Sequence, residues 1–116
     1  MDKSEHLNLS AIAELREVME EDFNFLIETF LQDSEERITQ LKAAFAAADA
    51  VEFGRAGHSF KGSCTNIGLP RLAEMCLVAE KTGKHGDLSR GAQMIENIEA
   101  EFHIASQLLE KEISGD

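Results

Sequence analysis

The sequence predicts an all-α protein, an antiparallel up-and-down four-helix bundle with a short additional helix at its N-terminus. Three observations carry this. Apolar residues recur at three- and four-residue spacing through most of the chain, the period of a one-faced helix. The long segments are rich in Ala, Leu, Glu and Lys, with a single proline and no Trp or Tyr, a composition that favours helix over strand. The breaks between periodic segments are short, and helices joined by short turns pack as antiparallel neighbours.

Each element has its own signal. Ser10 is placed to cap a first helix from Ala11 to Met19, with Ile12, Leu15, Val18 and Met19 as its apolar positions. Glu20, Glu21 and Asp22 put negative charge where a second helix begins, against the positive end of its dipole. That helix is expected over 22–48, with the stripe Phe23, Leu26, Ile27, Phe30, Leu31, Ile38, Leu41 and Phe45, and with 33–37 as a solvated charged face. Asp49 with Glu52 three residues on forms a capping-box pattern for a third helix, 50–67. Gly68-Leu69-Pro70 stops that helix and starts the next, expected over 70–82 with the stripe Leu72, Met75, Cys76 and Ala79. Residues 83–87 read as a turn. Asp87 then caps a last helix, 88–112, with Leu88, Ile95, Ile98, Phe102, Ala105 and Leu109 facing inward.

The chain of 116 residues suits one domain, 1–116, with residues 1–7 as a flexible tail. A hydrophobic content of 43% indicates a folded globule, and a formal net charge of −11 excludes nucleic acid and anionic membrane surfaces as partners. No apolar run approaches the roughly 20 residues of a membrane span. The first residues lack the basic-then-apolar pattern of a secretion signal, so a cytoplasmic location is expected. Cys64 and Cys76 both fall at apolar helical positions and read as reduced, buried thiols, although the count alone permits a disulfide.

The third helix holds the informative stretch. Wound at about 100° per residue, it places Phe53, Ala56, Phe60, Cys64 and Ile67 on one side. His58, Lys61, Gly62 and Thr65 fall on the other, with Gly54 and Arg55 beside them. His58 therefore faces outward, with an ammonium group one turn on and a bare patch of backbone at Gly62. That arrangement suits a bulky anion on the imidazole. Gly54 and Gly57 each weaken a helix interior, by roughly 1 kcal/mol relative to Ala, and close helix packing is the role open to them. If the turn is centred near Leu69, His58 and Glu80 lie 11 residues to either side of it and share one level. A carboxylate there would hold one ring nitrogen and leave the other as nucleophile.

These residues resemble a known family. His58-Ser59-Phe60-Lys61-Gly62-Ser63, then Asn66-Ile67-Gly68 and Arg71-Leu72-Ala73-Glu74-Met75-Cys76, are similar to the signature of histidine-containing phosphotransfer (HPt) domains. Residues 18–41 resemble the helix preceding it in stand-alone bacterial members. The resemblance implies that His58 carries a phosphoryl group on its outer ring nitrogen and that Lys61 lies near the phosphate. It implies too that Gly62 keeps the site open, and that Glu80 hydrogen-bonds the inner nitrogen. Gly57 departs from it, since the family more often has Ala there. The implied protein is a monomeric phosphorelay carrier in two-component signalling, not an enzyme. Its partners would be receiver domains of hybrid sensor kinases and response regulators, and it would need no cofactor or metal of its own. Receiver sites are acidic, so Arg55, Lys61, Lys81 and Lys84 are expected to form a docking rim with Gly62, and Ile12 and Leu15 to add apolar contact.

Blander readings stand beside these. An exposed histidine on a helix is usually only solvated, and Lys61 alone would be an ordinary surface lysine. Ser59, Ser63 and Thr65 have no base placed to activate them. His6, His85 and His103 share no metal-ligand spacing with His58. The alternative function is a helical adaptor without chemistry, which would have no need of the His58, Lys61, Gly62 and Glu80 set.

Overall fold

The computed structural model describes residues 5–114. Among the described residues the elements are, in order, α1 (Leu9–Met19), the 3-10 turn Glu20–Asp22, α2 (Phe23–Ala46), α3 (Ala50–Ile67), α4 (Pro70–His85) and α5 (Gly91–Ser114). Helices α2 to α5 form the antiparallel ring, each packed on its two neighbours, with the α3–α4 pair the most intimate. Phe60 of α3 and Phe102 of α5 meet edge to face across the ring, centroids 6.5 Å apart. The expected stripes line one continuous core, with Phe53, Phe60, Ile27, Leu41, Leu72, Ile98 and Leu109 fully buried, except that Val18, expected on the inner face of the first helix, is exposed.

Helix ends differ from expectation where side chains found better partners. The cap of α1 is Asn8, whose side chain accepts from the Ala11 amide at 3.1 Å, so the helix starts at Leu9 and Ser10 lies inside it. Helix α2 stops at Ala46, because Ala48 takes a left-handed conformation at φ 53° and lets the Asp49 amide donate to Ala44 at 2.8 Å. Nothing in an alanine run advertises such a turn. Half of the expected capping box forms: Asp49 accepts from the Glu52 amide, but the Glu52 carboxylate turns to Arg55. Ser34, inside the stretch expected to be wettest, is buried and donates to the Phe30 carbonyl at 2.7 Å.

Two larger corrections concern the termini of the bundle. Residues 83 to 85 are not a turn: α4 continues to His85 and ends at Gly86, with φ 82°. Asp87 folds onto the Ser89 amide instead of capping α5, which begins only at Gly91. At the other end, the expected tail 1–7 falls partly outside the described residues, and its last part is docked. Leu7 is fully buried, and the buried His6 imidazole meets the buried Glu101 carboxylate of α5 at 2.6 Å. The Asn8 amide then donates to the Gly68 carbonyl at 2.7 Å, tying this segment to the α3–α4 turn. Ile12 is buried beneath α1 and Leu15 is half-buried against the core. Ile12 is therefore structural and offers no docking surface.

Candidate functional site

The α3–α4 hairpin sets the site. Gly68 adopts φ 90°, where a side chain would be strained, and its amide and that of Leu69 close back onto Cys64 and Thr65. Pro70 then begins α4 without a missing donor. The two helices run so close that a Cβ added to Gly57 would lie 2.8 Å from the Glu80 amide nitrogen, and one added to Gly83 2.4 Å from that of Gly54. Glycine at these positions gives up helix propensity and gains backbone contact. This contact, which alanine at 57 would prise apart, brings the Glu80 backbone against the helix that carries His58.

The expected level pairing is present. The His58 ring is exposed, its side chain 66% accessible, and its Nδ1 lies 3.0 Å from Glu80 Oε2. Glu80 is buried, yet three cationic or donor groups converge on it. Lys61 Nζ reaches Oε1 at 2.8 Å, and Lys84 Nζ reaches Oε2 at 3.3 Å. The Lys61 ammonium, reinforced by His58 and Lys84, holds the Glu80 carboxyl at about 2 against the upward push of burial. An ionised carboxylate only accepts hydrogen bonds, so the Nδ1 of His58 carries the proton and donates it. In the neutral ring the lone pair then sits on Nε2, the outer nitrogen.

Gly62 lies one turn beyond His58, and an added Cβ there meets nothing within 4 Å, so the approach to the ring is open. Arg55 is exposed and engaged by Glu52 at 2.9 Å, and Lys81 is exposed on α4. A depression of about 560 Å³ opens beside the ring, walled by Val51, Arg55, Ser59, Gly83, Lys84 and His58. His58, Lys61 and Glu80 are thus brought together, with Gly62 at their edge. Arg55, Lys81 and Lys84 flank the ring, and Ile12 does not.

Lys84 on the carboxylate was not foreseen, because reading 83–85 as a turn broke the helical i,i+4 relation to Glu80. Basic Lys84 and His85 just before Gly86 were the available sign that α4 runs on. The two cysteines are free and buried, and the hydrogen bond between their thiols, with burial, pushes the Cys64 thiol far above its ordinary range.

Because the folded-state value of Glu80 is depressed, its contribution to stability is fully present above the ordinary carboxylate value of 4.5. It is lost as pH falls toward about 2. Denaturant unfolding of wild type and Glu80→Gln across that interval is expected to show the wild type losing stability relative to the variant as the solution is acidified. Parallel curves would show that the carboxylate is not held by its cations.

Two of the three comparisons with known proteins find relatives. The Hpt domain family model matches residues 26–113. The crystal structure of histidine-containing phosphotransfer protein B (HptB) from Pseudomonas aeruginosa PAO1 superposes with a TM-score of 0.93 at 40% sequence identity, covering 96% of each chain. No curated protein matches.

Proposed function

The chain belongs to the Hpt domain family, and from that membership we propose that His58 is the group on which a phosphoryl moves between two receiver domains. The supporting observation is the exposed imidazole whose Nδ1 is held by a buried, ionised carboxylate, leaving Nε2 as the accessible lone pair. In the forward step Nε2 attacks the phosphorus of an aspartyl phosphate on the donor receiver. The N–P bond forms, the P–O bond to aspartate breaks, and the carboxylate leaves with the electron pair. The ring keeps its Nδ1 proton, and the positive charge it gains faces Glu80. Transfer to the second receiver is the reverse sequence. The magnesium ion that assists belongs to the receiver.

The cationic side chains Arg55, Lys61, Lys81 and Lys84 form a basic rim on an otherwise acidic molecule and orient it toward acidic receiver sites. The carrier acts as a cytoplasmic monomer, and an adaptor would have no use for a buried ionised carboxylate beneath an exposed ring. The test is transfer from receiver domains of hybrid kinases charged with labelled acetyl phosphate. Acid-labile, base-stable label on this chain, mapped to the peptide containing His58, is expected. Label on another residue would end the proposal.

Gly62 gives a prediction in which stability and transfer move in opposite directions. Gly62→Ala removes the entropic penalty of glycine in a helix and meets no neighbour, so stability rises by up to ~1 kcal/mol. The methyl group enters the face a receiver must cover, and transfer slows by about tenfold, equivalent to about 1.4 kcal/mol. Thermal unfolding and a transfer time course check the two halves separately.

A further inference from the structure

A single exposed apolar side chain is ordinary on a protein surface, and Val78 on α4 is one. Val51 differs by its place. It is 63% exposed in the first turn of α3, seven residues before His58, and so lies on the same side of the helix as the ring. Between them opens the depression of about 560 Å³, with Val51 and His58 both on its wall and the backbone of Gly54 and Gly83 beneath. Helices that meet through side chains fill the valley between them. Here α3 and α4 meet through glycine backbone, with an added Gly83 Cβ only 2.5 Å from the Gly54 Cα, and the valley stays open.

The charged groups on the wall are already engaged. Arg55 is held by Glu52, and Lys84 and the His58 ring by Glu80. What they leave for an occupant is the methyl groups of Val51, the glycine Cα atoms and the aliphatic stems of Arg55 and Lys84. The two cations turn away a lysine or an arginine, and an acidic side chain would have to displace the carboxylates that hold them. An apolar side chain meets neither obstacle.

Such an occupant arrives with the donor. Attack by Nε2 brings the phosphorus within about 3–3.5 Å of the ring, so the receiver surface around its aspartate closes over whatever borders the ring. The hollow borders it directly, because His58 and Glu80 are part of its wall. Resting on the carrier reading above, we propose that this hollow is a docking socket for an apolar side chain that the receiver carries on a loop beside its phosphorylated aspartate, and that Val51 is the residue that reads it. A receiver presenting an apolar side chain there is accepted and one presenting a charge is not, which makes the socket a selector among receivers.

The test is transfer to this chain from increasing concentrations of a hybrid-kinase receiver charged with labelled acetyl phosphate. Wild type, Val51→Ser, Val51→Ile and Val78→Ser are compared, the last altering an exposed valine that is not on the wall of the hollow. Val51→Ser is expected to raise the half-saturating receiver concentration about tenfold, the size that follows from losing the burial of most of a valine side chain. Val51→Ile should restore the wild-type value, and Val78→Ser should keep it. In the wild-type complex the Val51 methyl signals are expected to show intermolecular NOEs to methyl or aromatic protons of the receiver. A half-saturating concentration unmoved by Val51→Ser, or moved as far by Val78→Ser, overturns the socket. So do Val51 methyl signals that shift with the carrier's own concentration in the absence of receiver, which would assign the hollow to a second copy of this chain. Absence of phosphohistidine at His58 after treating the wild type with phosphoramidate, a small donor that needs no receiver, would instead remove the carrier reading on which the socket stands.

Discussion

His58→Gln is expected to fold as the wild type does and to accept no phosphoryl group from any charged receiver. The two halves follow from different facts. The ring is two-thirds exposed and fills no part of the core, so its loss changes stability by no more than about 0.5 kcal/mol. Glu80 keeps Lys61 and Lys84 when the ring is gone, so no charge is stranded. The chemistry, in contrast, has no substitute. A carboxamide offers no basic nitrogen, and the other described histidines are elsewhere: His6 is buried against Glu101, and His85 and His103 lie outside the cluster. Circular dichroism melts with a transfer assay on the same preparation decide it. A variant that melts like the wild type and still becomes labelled would show that the phosphoryl resides on another residue.

Gly83→Ala is expected to produce the largest loss of stability among single-methyl changes near the site. Helix propensity alone predicts a gain of roughly 1 kcal/mol. Against it stands a Cβ that would lie 2.4 Å from the Gly54 nitrogen, 2.5 Å from its Cα and 2.7 Å from the Ala50 carbonyl oxygen. All three are backbone atoms of α3, which cannot rotate aside as a side chain would. The helices must separate, and overpacking of this kind costs about 3 kcal/mol net, a fall in Tm of roughly 10–20 °C. Because Gly83 is three residues from Glu80, the separation also draws the carboxylate from the ring. Thermal melts, together with the His58 ring nitrogen shifts, check both effects. A variant as stable as wild type would mean that the seam between α3 and α4 is looser than its glycines indicate.

What could be read beforehand, and what could not, divides along physical lines. The apolar stripes were legible because burial imposes a period, and Phe53, Ala56, Phe60, Cys64 and Ile67 all lie in the core. The pairing of His58 with Glu80 was legible because a tight turn fixes the register of a hairpin, and Gly68 and Pro70 marked that turn. Gly83 misled because a glycine has two uses, ending a helix or admitting a neighbouring backbone, and only the neighbour tells them apart. Its misreading hid Lys84 in turn. The docking of His6 and Leu7 was invisible because the partner, Glu101, lies 95 residues away on a helix whose rotation no local pattern sets relative to the N-terminus. Ile12 was assigned to a surface because a short amphipathic helix looks alike whether it covers a core or awaits a partner.

The order in which the helices pack has a kinetic consequence. Helices α2, α3, α4 and α5 each follow their neighbour in sequence, and the most extensive pairing, α3 with α4, is a hairpin closed by two residues between helices. Chains dominated by such short-range closures collapse on microsecond to millisecond timescales. The reactive constellation lies wholly within that hairpin, so it assembles from a segment able to form while the rest of the chain is still loose. Closing the ring waits for α5 to return to α2, and the pairings of His6 with Glu101 and of Arg16 with Glu112 close loops nearly as long as the chain. The last event to be completed is thus the fastening of the N-terminal segment, far along the sequence from the histidine that does the carrying.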